Sequence, residues 1–182
     1  MRMISLFLLV LTLIICSGCP EPPPPTKEQI MWGHFSKAGV KFTRRNIELT
    51  KDKRVKMYIL DLSDLTPVKD IPLEALMIAN RKLTDLSPIK NMPLTCLVIR
   101  DTAVRDISAL KDMKLTVLDM IGAPVADLSP LTNMPLIHMM FTEKAVTNGL
   151  DGLRNIPTLK LINKMTPEDY WKDYDMRRSI FE

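Results

Sequence analysis

Asp85-Leu86-Ser87-Pro88-Ile89-Lys90-Asn91-Met92-Pro93-Leu94, DLSPIKNMPL, is one of four variants of the same ten residues in this 182-residue chain. Aligned on their aspartates, the copies open Asp64-Leu65-Thr66-Pro67, Asp85-Leu86-Ser87-Pro88, Asp106-Ile107-Ser108-Ala109 and Asp127-Leu128-Ser129-Pro130, 21 residues apart each time. A fixed period in the twenties with leucines at set offsets marks a solenoid, whose units stack and share one core. Between the copies run Leu73-x-x-Leu76-x-Ile78, Leu94-x-x-Leu97-x-Ile99, Leu115-x-x-Leu118-x-Met120 and Leu136-x-x-Met139-x-Phe141. Each reads as a short strand of period two. In the second, Leu97 and Ile99 point inward, while Cys96, Val98 and Arg100 point outward.

The ten-residue stretch then reads as the bend between strand and outer turn. Val104 and Leu86 carry the core around it. Ser87 before Pro88 is a helix-start signal, the hydroxyl capping a free N–H and the proline taking the first helical position. Pro93 rules out a long helix, so a single turn or a 3₁₀ piece is expected on the outside. One carboxylate per bend, as at Asp85, reads as a cap on backbone N–H groups and not as a metal ligand.

The Asp-Leu-Ser-Pro-Leu-x-x-Met-Pro-Leu spacing resembles bacterial leucine-rich repeat proteins of the short-repeat kind, similar to the internalins and to phosphatase-regulating repeat proteins. The resemblance spans roughly residues 55 to 165, with Ser108-Ala109 and Lys114 departing from it. Where that family places an asparagine after each strand, this chain has Arg81, Thr102 and Ala123. The ending Asp169-Tyr170-Trp171-Lys172-Asp173-Tyr174-Asp175 is similar to the tail that closes many such modules. The fold class implied is an α/β solenoid with a parallel sheet on the concave face, 3₁₀ or helical turns on the convex face, and a helical cap at each end.

Both ends carry cap signals. Thr26-Lys27-Glu28-Gln29 fits a capping box, followed by apolar Ile30, Met31 and Phe35 and a stop at Gly39. Ile47 and Leu49, then Val55 and Met57, alternate around Lys51-Asp52-Lys53 as a hairpin. Thr166-Pro167-Glu168-Asp169 opens a second helix that brings Tyr170, Trp171 and Tyr174 over the last unit. The resulting divisions are 1–18 signal, 19–26 spacer, 27–54 front cap, 55–157 repeats, and 158–182 last strand and cap helix.

The N-terminus carries an address. After Met1-Arg2-Met3, the apolar run Ile4 to Ile15 has the length of a signal-peptide core and is too short to span about 30 Å of hydrocarbon. Cys16-Ser17-Gly18-Cys19 then resembles a bacterial lipoprotein signal, with Cys19 as the lipidated residue and Cys16 where that family usually has Leu. Pro20-Glu21-Pro22-Pro23-Pro24-Pro25 is a stiff extended spacer. The expected location is the cell envelope, on the extracytoplasmic side of a membrane. With Cys16 removed and Cys19 lipidated, only Cys96 remains as a thiol, so packing must supply the stability.

The outward strand residues form three rows: Arg54, Ala75, Cys96, Val117, His138; then Lys56, Met77, Val98, Asp119, Met140; then Tyr58, Ala79, Arg100, Ile121, Thr142. A largely apolar sheet face is a candidate protein-binding surface, with Met77, Val98, Arg100, Asp119, Ile121 and Met140 as its contact residues. Carbohydrate recognition on a sheet uses exposed aromatics, and only Tyr58 is available. The other reading is a structural envelope component that self-associates or holds wall polysaccharide.

Chemistry is poorly supplied. Cys96 and His138 share a row but lie two strands apart, about 10 Å, with Val117 between them. Two histidines, no paired Cys motif and no glycine-rich phosphate loop imply no metal or cofactor. The net charge of +4, from 25 basic and 21 acidic residues interleaved, is a solvated surface and not a nucleic-acid footprint. The short basic clusters Arg44-Arg45, Lys53-Arg54 and Arg177-Arg178 read the same way.

Overall fold

A seven-stranded sheet organises the chain, its strands in sequence order from one edge to the other. In the computed structural model the described residues are 47–49, 55–58, 62–69 and 71–181. The signal peptide, Cys19, the proline spacer, the front-cap helix, Arg44-Arg45 and Lys53-Arg54 lie outside them.

Strands β1 (Ile47–Leu49) and β2 (Val55–Tyr58) pair antiparallel, Ile47 opposite Met57 and Leu49 opposite Val55, which is the hairpin the alternation predicts. From β2 onward every pairing is parallel, through β3 (Leu73–Ile78), β4 (Cys96–Ile99), β5 (Val117–Met120), β6 (His138–Phe141) and β7 (Leu161–Ile162). Each parallel crossover needs a return path, and here it is a 3₁₀ turn. These turns lie at Thr66–Val68, Ser87–Ile89, Ser108–Leu110 and Ser129–Leu131, with Asp151–Asn155 serving the last crossover.

The core is a set of columns, because residues one period apart stack. Leu76, Leu97, Leu118 and Met139 are fully buried on the strands, and Val68, Ile89, Leu110 and Leu131 are fully buried on the turns opposite. Leu86 and Val104 are buried between them, as expected. Burying such a side chain contributes about 1.5–3 kcal/mol, repeated in every unit. This is a leucine-rich repeat solenoid with a parallel sheet and short 3₁₀ turns, closed at its end by helix α1 (Pro167–Phe181).

The bends work as the aspartates suggest, and the serine reading is corrected. Oδ1 of Asp64, Asp85, Asp106 and Asp127 accepts the N–H of Thr66, Ser87, Ser108 and Ser129 at 2.8, 2.8, 2.7 and 2.8 Å. Ser87 is not a cap. It is the first residue of the turn, with Pro88 second, and its hydroxyl donates to Asp85 Oδ2 at 2.7 Å. A three-residue turn leaves its first N–H free, and a carboxylate two residues upstream reaches it best. Left-handed backbone at Asn91 and Asp112 then starts the chain back toward the sheet, at residue types that tolerate positive φ.

Of the three positions where the family pattern would place an asparagine, Thr102 bonds locally. Thr102 is buried and its hydroxyl donates to the Ile99 carbonyl at 3.0 Å. At the strand starts, Thr116 Oγ1 donates to the Thr95 carbonyl at 3.1 Å, one unit back.

The closing unit is longer, with Met139 opposite Ile162. Gly149 sits in its outer path at φ +79, where a Cβ would come 2.3 Å from the Ser129 nitrogen. Only glycine fits this approach.

Candidate functional site

Backbone alternation assigns the concave face, and the structure agrees for β4. Leu97 and Ile99 are fully buried, Cys96 and Val98 are half-buried, and Arg100 is exposed. The cross-strand register aligns Ala75, Cys96, Val117 and His138 in one row and Met77, Val98, Asp119 and Met140 in the next. Val117 therefore stands between Cys96 and His138.

The first strand departs from the expected rows. Lys56 lies opposite Ala75 and Tyr58 opposite Met77, so each sits one row earlier than a 21-residue period predicts. The first unit is short: Lys56 to Ala75 and Tyr58 to Met77 are each 19 residues apart, two fewer than the period, even though an irregularity after Val55, which pairs with Leu73, passes over Glu74. Two residues are one strand repeat, so the side chains keep their faces and move by one row. Arg54, expected beside Ala75, lies outside the described residues.

Asp119 and Arg100 were expected as separate contact residues; they are instead a pair. Arg100 Nε donates to Asp119 Oδ2 at 2.6 Å, and Nη2 bonds the same oxygen. Asp119 Oδ1 accepts the N–H of Ile121 at 3.2 Å, and the residue is only 2% exposed. Its carboxylate is thus committed inside the protein and cannot meet a partner directly. The guanidinium side chain is 44% exposed and leans toward Met140, with Nη2 4.0 Å from Sδ. Arginine is long and always charged, so it reaches this carboxylate from the neighbouring unit.

Around the pair, Met77, Val98 and Met140 are half-buried and Ile121 is 36% exposed. Ala75, counted as outward, is buried. The apolar face is therefore real but shallow, and its most accessible residue is Ile121. Burial holds the Cys96 thiol up, with Lys56 pulling the other way and Asp119 and Glu74 adding to the rise. A thiol protonated in this way is a poor nucleophile.

A second polar cluster escaped the sequence reading. Glu143, in a 3₁₀ turn just after β6, receives Arg177 Nη1 at 2.8 Å, Arg177 Nη2 at 3.2 Å and the Tyr170 hydroxyl at 2.9 Å. Burial pushes the Glu143 carboxyl up, but the hydrogen bonds from Arg177 and Tyr170 outweigh it and the net direction is down. Arg177 also pairs with Asp173, so this half of the Arg177-Arg178 cluster ties the cap to the repeats. Nothing in the sequence links residues this far apart, although a glutamate breaking the repeat after Phe141 was a visible irregularity.

Comparison with protein-family models and with curated proteins gives no match. Among solved structures, internalin C2 from Listeria monocytogenes is similar over 57% of this chain and 46% of its own, at 24% sequence identity and a TM-score of 0.43. The chain thus spans less than half the length of that protein. The solenoid assignment rests on the strand order, register and turns described above.

Proposed function

We propose that the chain is a lipid-anchored, extracytoplasmic leucine-rich repeat module that binds a protein through its concave face and performs no chemistry. The observation that carries the reading is the row of Met77, Val98 and Met140 beside exposed Ile121, an apolar strip on a sheet face that solvent would otherwise fill with polar side chains. Methionine side chains adapt to varied partners. The non-catalytic part is supported by Val117 separating Cys96 from His138 and by the engagement of Asp119. Lipidation at Cys19, the envelope location, the absence of cofactors and the division at residues 18, 26, 54 and 157 follow from the sequence motifs.

Two measurements test this. Mass spectrometry of the mature N-terminus in membranes is expected to find a lipid-modified Cys19, and a soluble chain with free Cys19 would remove the anchor. Capture from envelope extract by the full chain is expected to enrich a protein that a Met77→Glu, Ile121→Glu, Met140→Glu variant of unchanged fold does not. Equal capture by both would end the concave-face reading.

A second reading, assembly through its own copies, is favoured by a groove at the closing end where Leu161 is 36% and Met176 58% exposed. Sedimentation that stays monomeric as concentration rises would discard it.

A further inference from the structure

The protein-binding reading leaves the chemistry of the partner open, and the Arg100–Asp119 pair narrows it. The apolar strip contains two formal charges, and they cancel each other. Asp119 has both oxygens occupied, Oδ2 by Arg100 and Oδ1 by the Ile121 N–H, and its side chain is 4% exposed. Arg100 uses Nε and Nη2 on that carboxylate, while its Nη1 finds no acceptor among the described residues. What faces outward is therefore a neutralised ion pair with unfilled N–H donors, set among Met77, Val98, Ile121 and Met140.

We infer that the concave face takes an uncharged, apolar peptide segment of a partner protein, and that the free Nη1 donors of Arg100 hold a neutral acceptor on it, a main-chain carbonyl. Asp119 is then a positioning residue that fixes the guanidinium. This rests on the protein-binding reading and adds the partner's character to it.

Charge decides among the alternatives. An acidic segment would bring another carboxylate beside Asp119, with Asp101 adding a second negative charge next to the same guanidinium. A basic segment would meet Arg100 itself, with the one carboxylate of the strip already covered. A phosphate would need a second cation nearby, and among the described residues the lysine of this face, Lys56, lies on β2, two strands from β4. A neutral carbonyl meets none of these penalties. It satisfies a donor that binding would otherwise desolvate without compensation. Hydrogen bonds to a charged donor are also the stronger kind.

The experiment is selection of a random peptide display library on the full chain, followed by affinity measurements with the enriched peptides. The expected sequences are apolar without net charge, and their affinity changes less than about threefold from low to high salt. Met140→Glu is expected to weaken them by about tenfold or more, as is Arg100→Met. Because Arg100→Met leaves Asp119 buried without a partner, the neutral double variant Arg100→Leu/Asp119→Leu is run beside it and is expected to lose affinity to the same degree. Enriched peptides that carry acidic or basic residues and weaken steeply with salt would overturn the inference while leaving a concave protein site. So would affinity unchanged in both arginine variants. Peptides indifferent to Met140→Glu, or no enrichment at all, would overturn both the inference and the reading beneath it.

Discussion

The outer bends and the concave strands belong to the same repeating units, yet they use sequence in opposite ways. At the bends one residue type recurs, and Asp64, Asp85, Asp106 and Asp127 each accept the N–H two residues on. On the sheet face the residue changes at every step, from Ala75 to Cys96 to Val117 to His138 along one row. Recurrence marks a geometric requirement that every unit shares. Variation marks a surface released from that requirement, and there a site can be written.

The buried columns are the most sensitive place to perturb. Leu97→Ala removes a fully buried side chain from a column shared with its neighbours and is expected to cost about 2–5 kcal/mol, read from chemical denaturation. A loss below about 1 kcal/mol would mean that the columns do not carry the fold.

The closing helix comes next. Trp171 is 9% exposed, stacks under the Arg154 guanidinium and meets Tyr170 and Tyr174 edge-on. Trp171→Ala is expected to destabilise by about 3 kcal/mol, with the loss concentrated in slow-exchanging amides of the last units, since each unit contacts only its neighbours. Uniform loss across the sheet would show that the cap and the repeats are one cooperative block.

A smaller effect is expected at the bends, and pH sharpens it. The N–H and hydroxyl of Thr66, Ser87 and Ser129 hold the carboxyls of Asp64, Asp85 and Asp127 below their ordinary value, and Glu143 is lowered as well. A lowered carboxyl contributes stability above its unfolded pKa, near 4, and that contribution is lost as pH falls through the folded value. The chain is therefore expected to be stable at neutral pH and to weaken below about pH 4. A variant with Asp64, Asp85 and Asp127 changed to Asn should show a shallower acid loss in thermal melts, and an unchanged acid slope would deny the bends that role.

The smallest effect on stability is expected on the concave face. Ile121→Glu should change stability by no more than about 0.5 kcal/mol while abolishing partner binding. If stability fell as far as in Leu97→Ala, the face would be structural and the contrast with the bends would collapse.

Much of this was legible in the chain. The 21-residue period announced the solenoid, the Leu97-Val98-Ile99 alternation assigned the faces, and Thr166 through Asp169 announced the cap, where Asp169 N donates to Thr166 Oγ1 at 3.2 Å. The bend was half legible: the aspartate was assigned correctly, and the serine was given a role that a three-residue turn has no room for. The rows failed on β2, because its register to β3 is 19 residues and the 21-residue spacing of the bends gives no sign of that two-residue shortfall.

By itself, then, the sequence determined what repeats: strand, bend, core column and the sidedness of each residue, all set by local sterics and a period read along one dimension. Only the tertiary structure decided which side chains meet across units. Arg100 covers Asp119 from the strand before it, and Arg177 reaches back 34 residues to Glu143. Those contacts depend on the direction and length of side chains crossing between stacked units, and neither is carried by the period that builds the stack.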